Sequence, residues 1–301
     1  MRGLVISCLL LLTSFFSLSC NQPFQPAVEY SHKLNVYAIL IADAQAVYVR
    51  VMSVVKSQSD LSLPVHGAEV RLFGSGMNDT TFAGIRLADT TEVVDGDSVS
   101  FYYAPIHVVP GGYYSVSVNK DGYPPVFASA VVPISYGAIP DQNSYATLKN
   151  PENPLSPIKF SVNLSDITSG AFVQMSVEYR GLDAAGKFHT GSFNVFYLDP
   201  QDPFTETNAS IMTVNVDTAQ YRVVFEYARE YADSLAFRHM YVNFIVTQVD
   251  DNFYRFFLTS LRTFDPLVMR TDKIIFTNIL GNAGTGIVSG VSIDTTRIFL
   301  F

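Results

Sequence analysis

The chain has 301 residues, a hydrophobic content of 48% and a formal net charge of −8 at neutral pH. This length and hydrophobic content are sufficient for one large folded domain or two ordinary ones, and we expect two. The acidic balance argues against nucleic acid as a partner, because binding to phosphates needs an excess of Lys and Arg.

The first residues predict a lipoprotein signal peptide over residues 1–19. Arg2 supplies a positive charge, residues 3–16 are almost all apolar, and small residues precede Cys20. The apolar run is shorter than the roughly 20 residues that a membrane-spanning helix needs. We therefore expect cleavage before Cys20 and lipidation of that cysteine by acyl chains such as palmitate. The alternative is an ordinary signal peptide with an incidental cysteine.

Cleavage at this point has consequences for the mature chain. Cys8 would be lost, so no disulfide would be possible. Loss of Arg2 would leave 18 basic and 27 acidic side chains, a net charge of −9. This charge argues against a basic membrane-binding patch, so we expect attachment to the membrane to rest on the lipid at Cys20.

Residues 20–33 are predicted to form a proline-containing tether, and residues 34–133 a β-sandwich domain. Short β-branched and aromatic runs, separated by turn residues, are typical of an immunoglobulin-like or prealbumin-like sandwich. The first two runs are expected to form an antiparallel hairpin with a turn at residues 43–45. The predicted strands cover residues 34–41, 46–54, 68–73, 98–104, 113–119 and 127–132.

Residues 134–158 are rich in Pro and Asn and predict a linker or a long inter-domain loop. Residues 159–301 predict a second, β-rich domain with one late helix. Within residues 250–264 apolar side chains recur every three or four positions, and Asp250 and Asp251 suit the positive end of a helix dipole. The predicted strands of this domain cover residues 159–164, 172–180, 192–198, 210–214, 220–227, 239–249, 273–277, 286–293 and 296–301.

The sequence predicts no catalytic, cofactor or metal site. The histidines are scattered singly, without the spacing of a zinc site; they are His32, His66, His107, His189 and His239. The acidic pairs in Asp95-Gly96-Asp97 and Asp250-Asp251 lack a calcium-binding loop, and we interpret them as a solvated turn and a helix start.

Two Ser-x-x-Lys segments begin at Ser53 and Ser117, but both lie on predicted strands, where the serine and the lysine point to opposite faces. The Gly-Ile-Val-Ser-Gly segment at residues 286–290 has its serine one position away from that of a nucleophile elbow. Gly281, Gly284 and Gly286 are interpreted as hairpin glycines, because no lysine follows them in a phosphate-loop pattern.

Aromatic residues are abundant, with 17 Tyr and 23 Phe, but Trp is absent. Alternation along strands such as Phe101-Tyr102-Tyr103 and Tyr113-Tyr114 would bury about half of these rings. The exposed half leaves binding of a small ligand as an open alternative.

The resemblance to a known family rests on the order of several features along the chain. The lipidation cysteine comes first, followed by the hairpin of residues 33–54 and the segments 64–72, 110–118 and 128–133. The helical Tyr-Arg-Phe-Phe-Leu-Thr-Ser-Leu of residues 254–261 comes next, and then Phe-Thr-Asn-Ile at residues 276–279, which leads to residues 286–290. Together they resemble the Bacteroidota outer-membrane lipoproteins that share domain of unknown function 4249. The resemblance covers nearly the whole mature chain. It implies no catalytic residues, and it suggests, by analogy, an accessory role beside a TonB-dependent outer-membrane receptor.

We therefore predict a non-enzymatic, lipid-anchored protein of the outer membrane that acts as a binding or assembly module for another envelope protein. The uncharged stretch after Cys20 favours the periplasmic face over the cell surface. The alternative is a pilin-like fimbrial subunit that polymerises by strand donation, with Lys33 as the basic residue just before the first strand.

Overall fold

A computed structural model describes residues 32–54, 62–75, 81–149, 157–198, 205–208, 210–261, 276–281 and 284–300. Over these residues the chain is mainly β, which confirms the predicted fold class. The strands are β1 (Leu34–Ile41), β2 (Val47–Ser53), β3 (Glu69–Ser75), β4 (Thr81–Arg86), β5 (Ala88–Val94), β6 (Asp97–Ala104), β7 (Tyr113–Asn119), β8 (Val126–Val131), β9 (Ala138–Pro140), β10 (Ile158–Asn163), β11 (Gly170–Leu182), β12 (Phe188–Leu198), β13 (Thr205–Asn208), β14 (Ile211–Val216), β15 (Phe237–Val249) and β16 (Gly284–Phe299). The helices are α1 (Gln142–Lys149), α2 (Thr218–Asp233) and α3 (Asp251–Leu261).

Eight strands form one large sheet in the order β12-β11-β15-β16-β1-β2-β6-β5. The predicted antiparallel pairing of β1 with β2 is confirmed. β1 also pairs in parallel with β16, a contact between the two ends of the described chain. The first half of β16 pairs with β1 and its second half pairs with β15, with Val291 taking part in both pairings. β16 therefore joins strands from the two halves of the sequence into one sheet.

Two four-stranded sheets cover the same face of the large sheet, which we call the inner face. Buried Ala38 of β1 pairs with Val288, and buried Phe244 of β15 pairs with Thr296. Both partners are even-numbered residues of β16, and alternate residues of a strand share a face. One small sheet, β4-β3-β7-β8, forms a core with the N-terminal half of the large sheet, and the other, β13-β14-β10-β9, does so with the C-terminal half.

The opposite face of the large sheet, the outer face, is covered in part by α3. Phe253, Tyr254 and Phe257 of this helix pack against Phe172 and a small group of buried side chains on β15 and β16. The Phe172 and Phe257 rings meet edge to face, with centroids 4.7 Å apart. α3 confirms the predicted late helix, and its aromatic stripe explains why the periodicity was visible in the sequence.

Helix α2 corrects one prediction. Residues 220–227 were expected to form a strand, because Tyr, Val and Phe cluster there, but they lie inside a helix of 16 residues. Its buried side chains are Tyr221, Phe225, Ala228 and Ala232, which recur at helical spacing and lie on one side. The β-branched Val223 and Val224 suggested a strand locally. Packing of the buried side chains against the core stabilises the helix instead.

Other differences concern the connecting segments. The predicted linker contains β9 and α1, and Ala138 and Leu148 from these elements belong to the second core. The predicted strands 286–293 and 296–301 are one continuous strand, β16, as far as residue 299. Residues 276 and 277 are not in a strand, and the rest of the predicted strand 273–277 lies outside the described residues. The boundaries of the two predicted domains stay a prediction.

Candidate functional site

Cys20, the one site residue predicted from sequence, lies outside the described residues, so its lipidation stays a prediction. Two of the histidines contact carboxylates. His66 Nδ1 lies 3.0 Å from Asp89 Oδ1, and His189 Nε2 lies 2.9 Å from Asp183 Oδ2. Within the described ranges, no three His, Cys, Asp or Glu side chains come together in a way that would hold a metal ion.

The serine and glycine motifs have structural roles. Lys120 donates a hydrogen bond from Nζ to the carbonyl oxygen of His66, at 2.7 Å, and Lys56 lies outside the described residues. The interpretation of Asp95-Gly96 as a turn is confirmed, since both residues have positive φ between β5 and β6. The interpretation of Gly284 and Gly286 as hairpin glycines is wrong, because both lie within β16.

Gly286 and Gly290 allow close packing on both sides of β16. A Cβ atom at Gly286, where φ is +115°, would lie 2.0 Å from the carbonyl oxygen of Val36. A Cβ atom at Gly290 would lie 2.1 Å from the carbonyl oxygen of Val131, in β8. The glycines are therefore needed where β1 and β8 approach the backbone of β16.

A cleft of about 580 Å³ lies at the start of α3, beside residues 129–131 of β8. Its polar lining includes Asp250, which is buried, and Asp251, which is exposed. The remaining lining comes from Tyr113 of β7, from β8, from the loop before β11, from Asn252 of α3 and from residues 276–280. A concave surface of this size with convergent polar side chains is a candidate for ligand binding or catalysis, and the hydrogen bonds of its carboxylates decide between these roles and a structural one.

The carboxylate of Asp250 is committed to main-chain groups on two elements. Oδ1 accepts a hydrogen bond from the Phe253 N–H at 2.9 Å, so Asp250 is the N-cap of α3. Oδ2 accepts one from the Gly290 N–H at 3.0 Å, and the Asp250 N–H donates to the Gly290 carbonyl at 3.1 Å. Burial raises the pKa of Asp250 to about 6, although these hydrogen bonds lower it in part.

Two asparagines complete the same arrangement. Asn278 accepts a hydrogen bond from the Val288 N–H at 3.0 Å and donates to the carbonyl oxygens of Val288 and Ser129, at 2.7 and 2.9 Å. Asn252 donates to the same two carbonyl oxygens, at 3.2 and 2.8 Å. The pairing of β15 with β16 ends at Val291. Asp250, Asn252 and Asn278 therefore satisfy the edge of β16 that β15 leaves open, and we assign them a structural role.

A charged cluster lies on the outer face, across β11, β15 and β16. Glu178 accepts hydrogen bonds from Arg180, from Asn243 Nδ2 at 3.1 Å and from Arg297 at 3.0 Å. The Arg297 guanidinium also lies 5.2 Å from the centroid of the Tyr241 ring. Burial by itself would raise the pKa of Glu178, but the bonds from Arg180 and Asn243 and the charge of Arg297 outweigh it and hold the pKa below its ordinary value.

Aromatic side chains also form exposed surfaces, and two of these are candidate binding surfaces. The first, the tyrosine stripe, consists of Tyr227 and Tyr231 of α2 with Phe193 and Tyr179 beneath them. Tyr227 is 48% exposed and Tyr231 is 45% exposed. Their hydroxyl oxygens lie 3.1 Å apart, and Tyr231 stacks on Tyr179 with centroids 6.1 Å apart. The sequence did not reveal this surface, because α2 was predicted to be a strand.

The second surface, the outer-face patch, lies on β1, β2 and β6 and consists of Tyr37, Ile39, Ile41, Tyr48 and Phe101. Tyr48 is 50% exposed and Ile39 is 48% exposed. Tyr48 packs edge to face on Phe101, with centroids 5.2 Å apart. A shallow groove of about 370 Å³ crosses the patch. Tyr102, between the outward-facing rings of β6, is buried on the other side, as the alternation predicted.

Comparisons with known proteins do not identify the chain. Neither a family model nor a curated protein matches it. Among solved structures, the chain is similar to the C-terminal globular domain of an oligosaccharyltransferase from Pyrococcus abyssi, with a TM-score of 0.24 and 9% sequence identity. The match covers 74% of this chain and 50% of that one, so the chain spans about half of that structure. Similarity at this level carries no argument, and the resemblance to lipoproteins with domain of unknown function 4249 stays a prediction.

No helix in the described part of the chain combines the length and the apolar character needed to cross a membrane.

Proposed function

We propose that the protein is a lipid-anchored, non-enzymatic binding or assembly module of the outer membrane. Cys20 carries the lipid, the periplasmic face is the favoured side, and the partner is another envelope protein, such as a TonB-dependent receptor. The observation that carries this proposal is the tyrosine stripe. An exposed group of aromatic rings on a rigid helix is typical of a protein-binding surface.

The stripe is supported from beneath, which favours binding. Ala228 and Ala232 lie on the buried side of α2 and are fully inaccessible to solvent, and Ala228 packs in the second core. Phe193 meets Tyr227 edge to face, with centroids 5.2 Å apart. The exposed rings therefore have little freedom left to lose when a partner covers them, and this lowers the entropic cost of association.

The hydrogen bonds made by the buried Asp250 carboxylate support a non-enzymatic role. Among the carboxylates of the cleft beside α3, Asp250 has the most strongly raised pKa. Both of its oxygens accept hydrogen bonds from main-chain N–H groups. A general base needs an oxygen that reaches the proton of a substrate or nucleophile. Asp250 instead joins α3 to β16.

The partner is tested by purification of the tagged protein from detergent-solubilised outer membranes, followed by mass spectrometry. We expect stoichiometric recovery of one envelope protein, and we expect the double variant Tyr227→Ala/Tyr231→Ala to lose it by about tenfold or more. The matched control is Tyr113→Ala/Tyr136→Ala, which removes two exposed tyrosines elsewhere. Equal recovery with both double variants would contradict the role of the stripe, and recovery of the protein alone would contradict the partner.

The anchor is tested separately. Cys20→Ala should move the protein from the membrane fraction to the soluble fraction, because the acyl chains are the proposed attachment. Unchanged retention of this variant in membranes would refute the anchor.

A fimbrial subunit is the second candidate, and the position of β1 favours it. β1 follows Lys33 directly and lies between β16 and β2, with Leu34, Val36, Ala38 and Leu40 buried in the first core. A strand donated by another subunit in place of β1 would restore the same pairings and core contacts. Ladders of polymers in gel electrophoresis after mild heating would favour this candidate, and a single monomer band would exclude it.

A further inference from the structure

We infer that the outer-face patch rests on the lipid surface to which Cys20 anchors the chain. This inference depends on the proposed lipid anchor and adds an orientation to it. The patch would lie on the membrane interface and would fix which faces of the protein point away from it.

The chemistry of the patch fits an interfacial lipid layer. Its exposed side chains are aromatic or aliphatic, and they stand on neighbouring strands of the large sheet. Arg50 is the only formally charged residue of β1 and β2. Tyrosine rings sit well at the level of lipid headgroups, and an arginine can bury its alkyl stem there while its guanidinium reaches phosphate.

The position of the tether also fits a lipid surface as the partner of the patch. The tether runs from Cys20 to Leu34, the first residue of β1, and its 14 residues can span at most about 50 Å. Tyr37 lies three residues further along the same strand, about 10 Å away. The tether from the lipid anchor therefore joins the fold at β1, the strand that carries much of the patch. Tethering also raises the local concentration of membrane, so weak contacts by the patch are sufficient to hold it there.

This orientation agrees with the proposed partner surface. α2 packs on the inner face of the large sheet, since Tyr221, Phe225 and Ala228 share the second core with β11 and β15. The outer-face patch lies on the opposite face of that sheet. With the patch on the membrane, the tyrosine stripe would be presented on the other side, where a protein partner can reach it.

The absence of Trp provides a direct test. Tyr48→Trp introduces a single tryptophan into the patch, which can be excited separately from the tyrosines, and Tyr227→Trp introduces one into the stripe as the matched control. The full lipidated chains are reconstituted into vesicles of phosphatidylethanolamine and phosphatidylglycerol, with and without bromine on the acyl chains. We expect brominated lipid to quench the residue-48 fluorophore by about threefold and to leave the residue-227 fluorophore unchanged, because bromine on the acyl chains quenches tryptophan only at short range and only the patch is expected to enter the bilayer interface.

A second substitution links the quenching to the patch. Ile39→Asp, added to the Tyr48→Trp chain, places a carboxylate in the apolar surface and should abolish the quenching. Ile139→Asp, at an exposed isoleucine on β9, should leave it intact.

The possible outcomes separate this inference from the proposed function. If the chains float with the vesicles but the residue-48 fluorophore is not quenched, the anchor holds and the inference is wrong. If the chains do not float, the anchor fails and the inference fails with it. A blue shift at residue 48 that depends on protein concentration in detergent, without lipid quenching, would assign the patch to a second copy of the chain and overturn the inference.

Discussion

Asp250 should make the protein less stable at pH 7 than at pH 5. Burial raises its pKa from the ordinary value of 3.8 to about 6. Between these two values the folded protein binds a proton that the unfolded chain has released, so the free energy of unfolding falls as the pH rises. One pKa unit corresponds to about 1.4 kcal/mol, which gives about 3 kcal/mol for the whole shift and about 1 kcal/mol between pH 5 and pH 7.

The assay is urea unfolding of the purified protein at pH 5, 6 and 7, compared with Asp250→Asn and Asp251→Asn. Asparagine is also a good N-cap, so Asp250→Asn can keep the bond from the Phe253 N–H while it removes the titration. Asp251, exposed in the first turn of α3, is the matched control.

We expect Asp250→Asn to remove about 1 kcal/mol of the pH dependence. Asp251→Asn removes only the smallest of the contributions to the pKa of Asp250 and should leave most of the pH dependence in place. Contributions from groups that all three proteins share cancel in this comparison. The same pH dependence in Asp250→Asn and in the parent would refute the reasoning, whatever the absolute stability of the variant.

Three further substitutions test the structural roles assigned above, each by urea unfolding at pH 7. Asn278→Ala removes the bonds that satisfy the open edge of β16 and should cost about 2–4 kcal/mol, whereas Asn194→Ala, at an exposed side-chain bond, should cost about 0.5 kcal/mol or less; similar losses would argue against the edge role. Gly290→Ala forces a Cβ against β8 and should cost about 3 kcal/mol or more, while Gly96→Ala meets no atom within 4 Å and should cost only about 1 kcal/mol for its positive φ. A larger loss of stability for Gly96→Ala than for Gly290→Ala would show that β8 shifts readily to make room for the added Cβ. Glu178→Gln keeps the shape of the side chain but removes its charge beside the two arginines, and should cost about 1–3 kcal/mol. Because the pKa of Glu178 is lowered, this difference should be present above the ordinary carboxylate pKa and shrink at more acidic pH; a cost that does not depend on pH would contradict the charge interaction.

The patterns that could be read from the sequence are those with a local period. β1, β2, β6, β7 and β15 were predicted within about three residues of their observed ends, because alternation of buried and exposed side chains repeats every two residues. α3 was predicted for the same reason at helical spacing. The assignment of Asp250 to a helix start also followed from neighbouring residues alone.

The parts that were not predicted depend on distant contacts. α2 contains β-branched and aromatic residues that suggest a strand, and only its packing on the second core selects the helix. The exposed tyrosines of this helix form a surface only once the helix exists. Sequence reasoning therefore missed the residues that carry the proposed binding function.

The sequence by itself determined that this protein is mainly β, where many of its strands run, and that a helix begins after Asp250. The tertiary structure decided that β1 pairs with β16, that Gly290 must lack a side chain, and that the carboxylate of Asp250 is buried between α3 and β16. The physical reason is that periodicity records which face of an element meets the core, whereas the identity of the neighbour is fixed by contacts between residues far apart in the chain, which leave no local pattern.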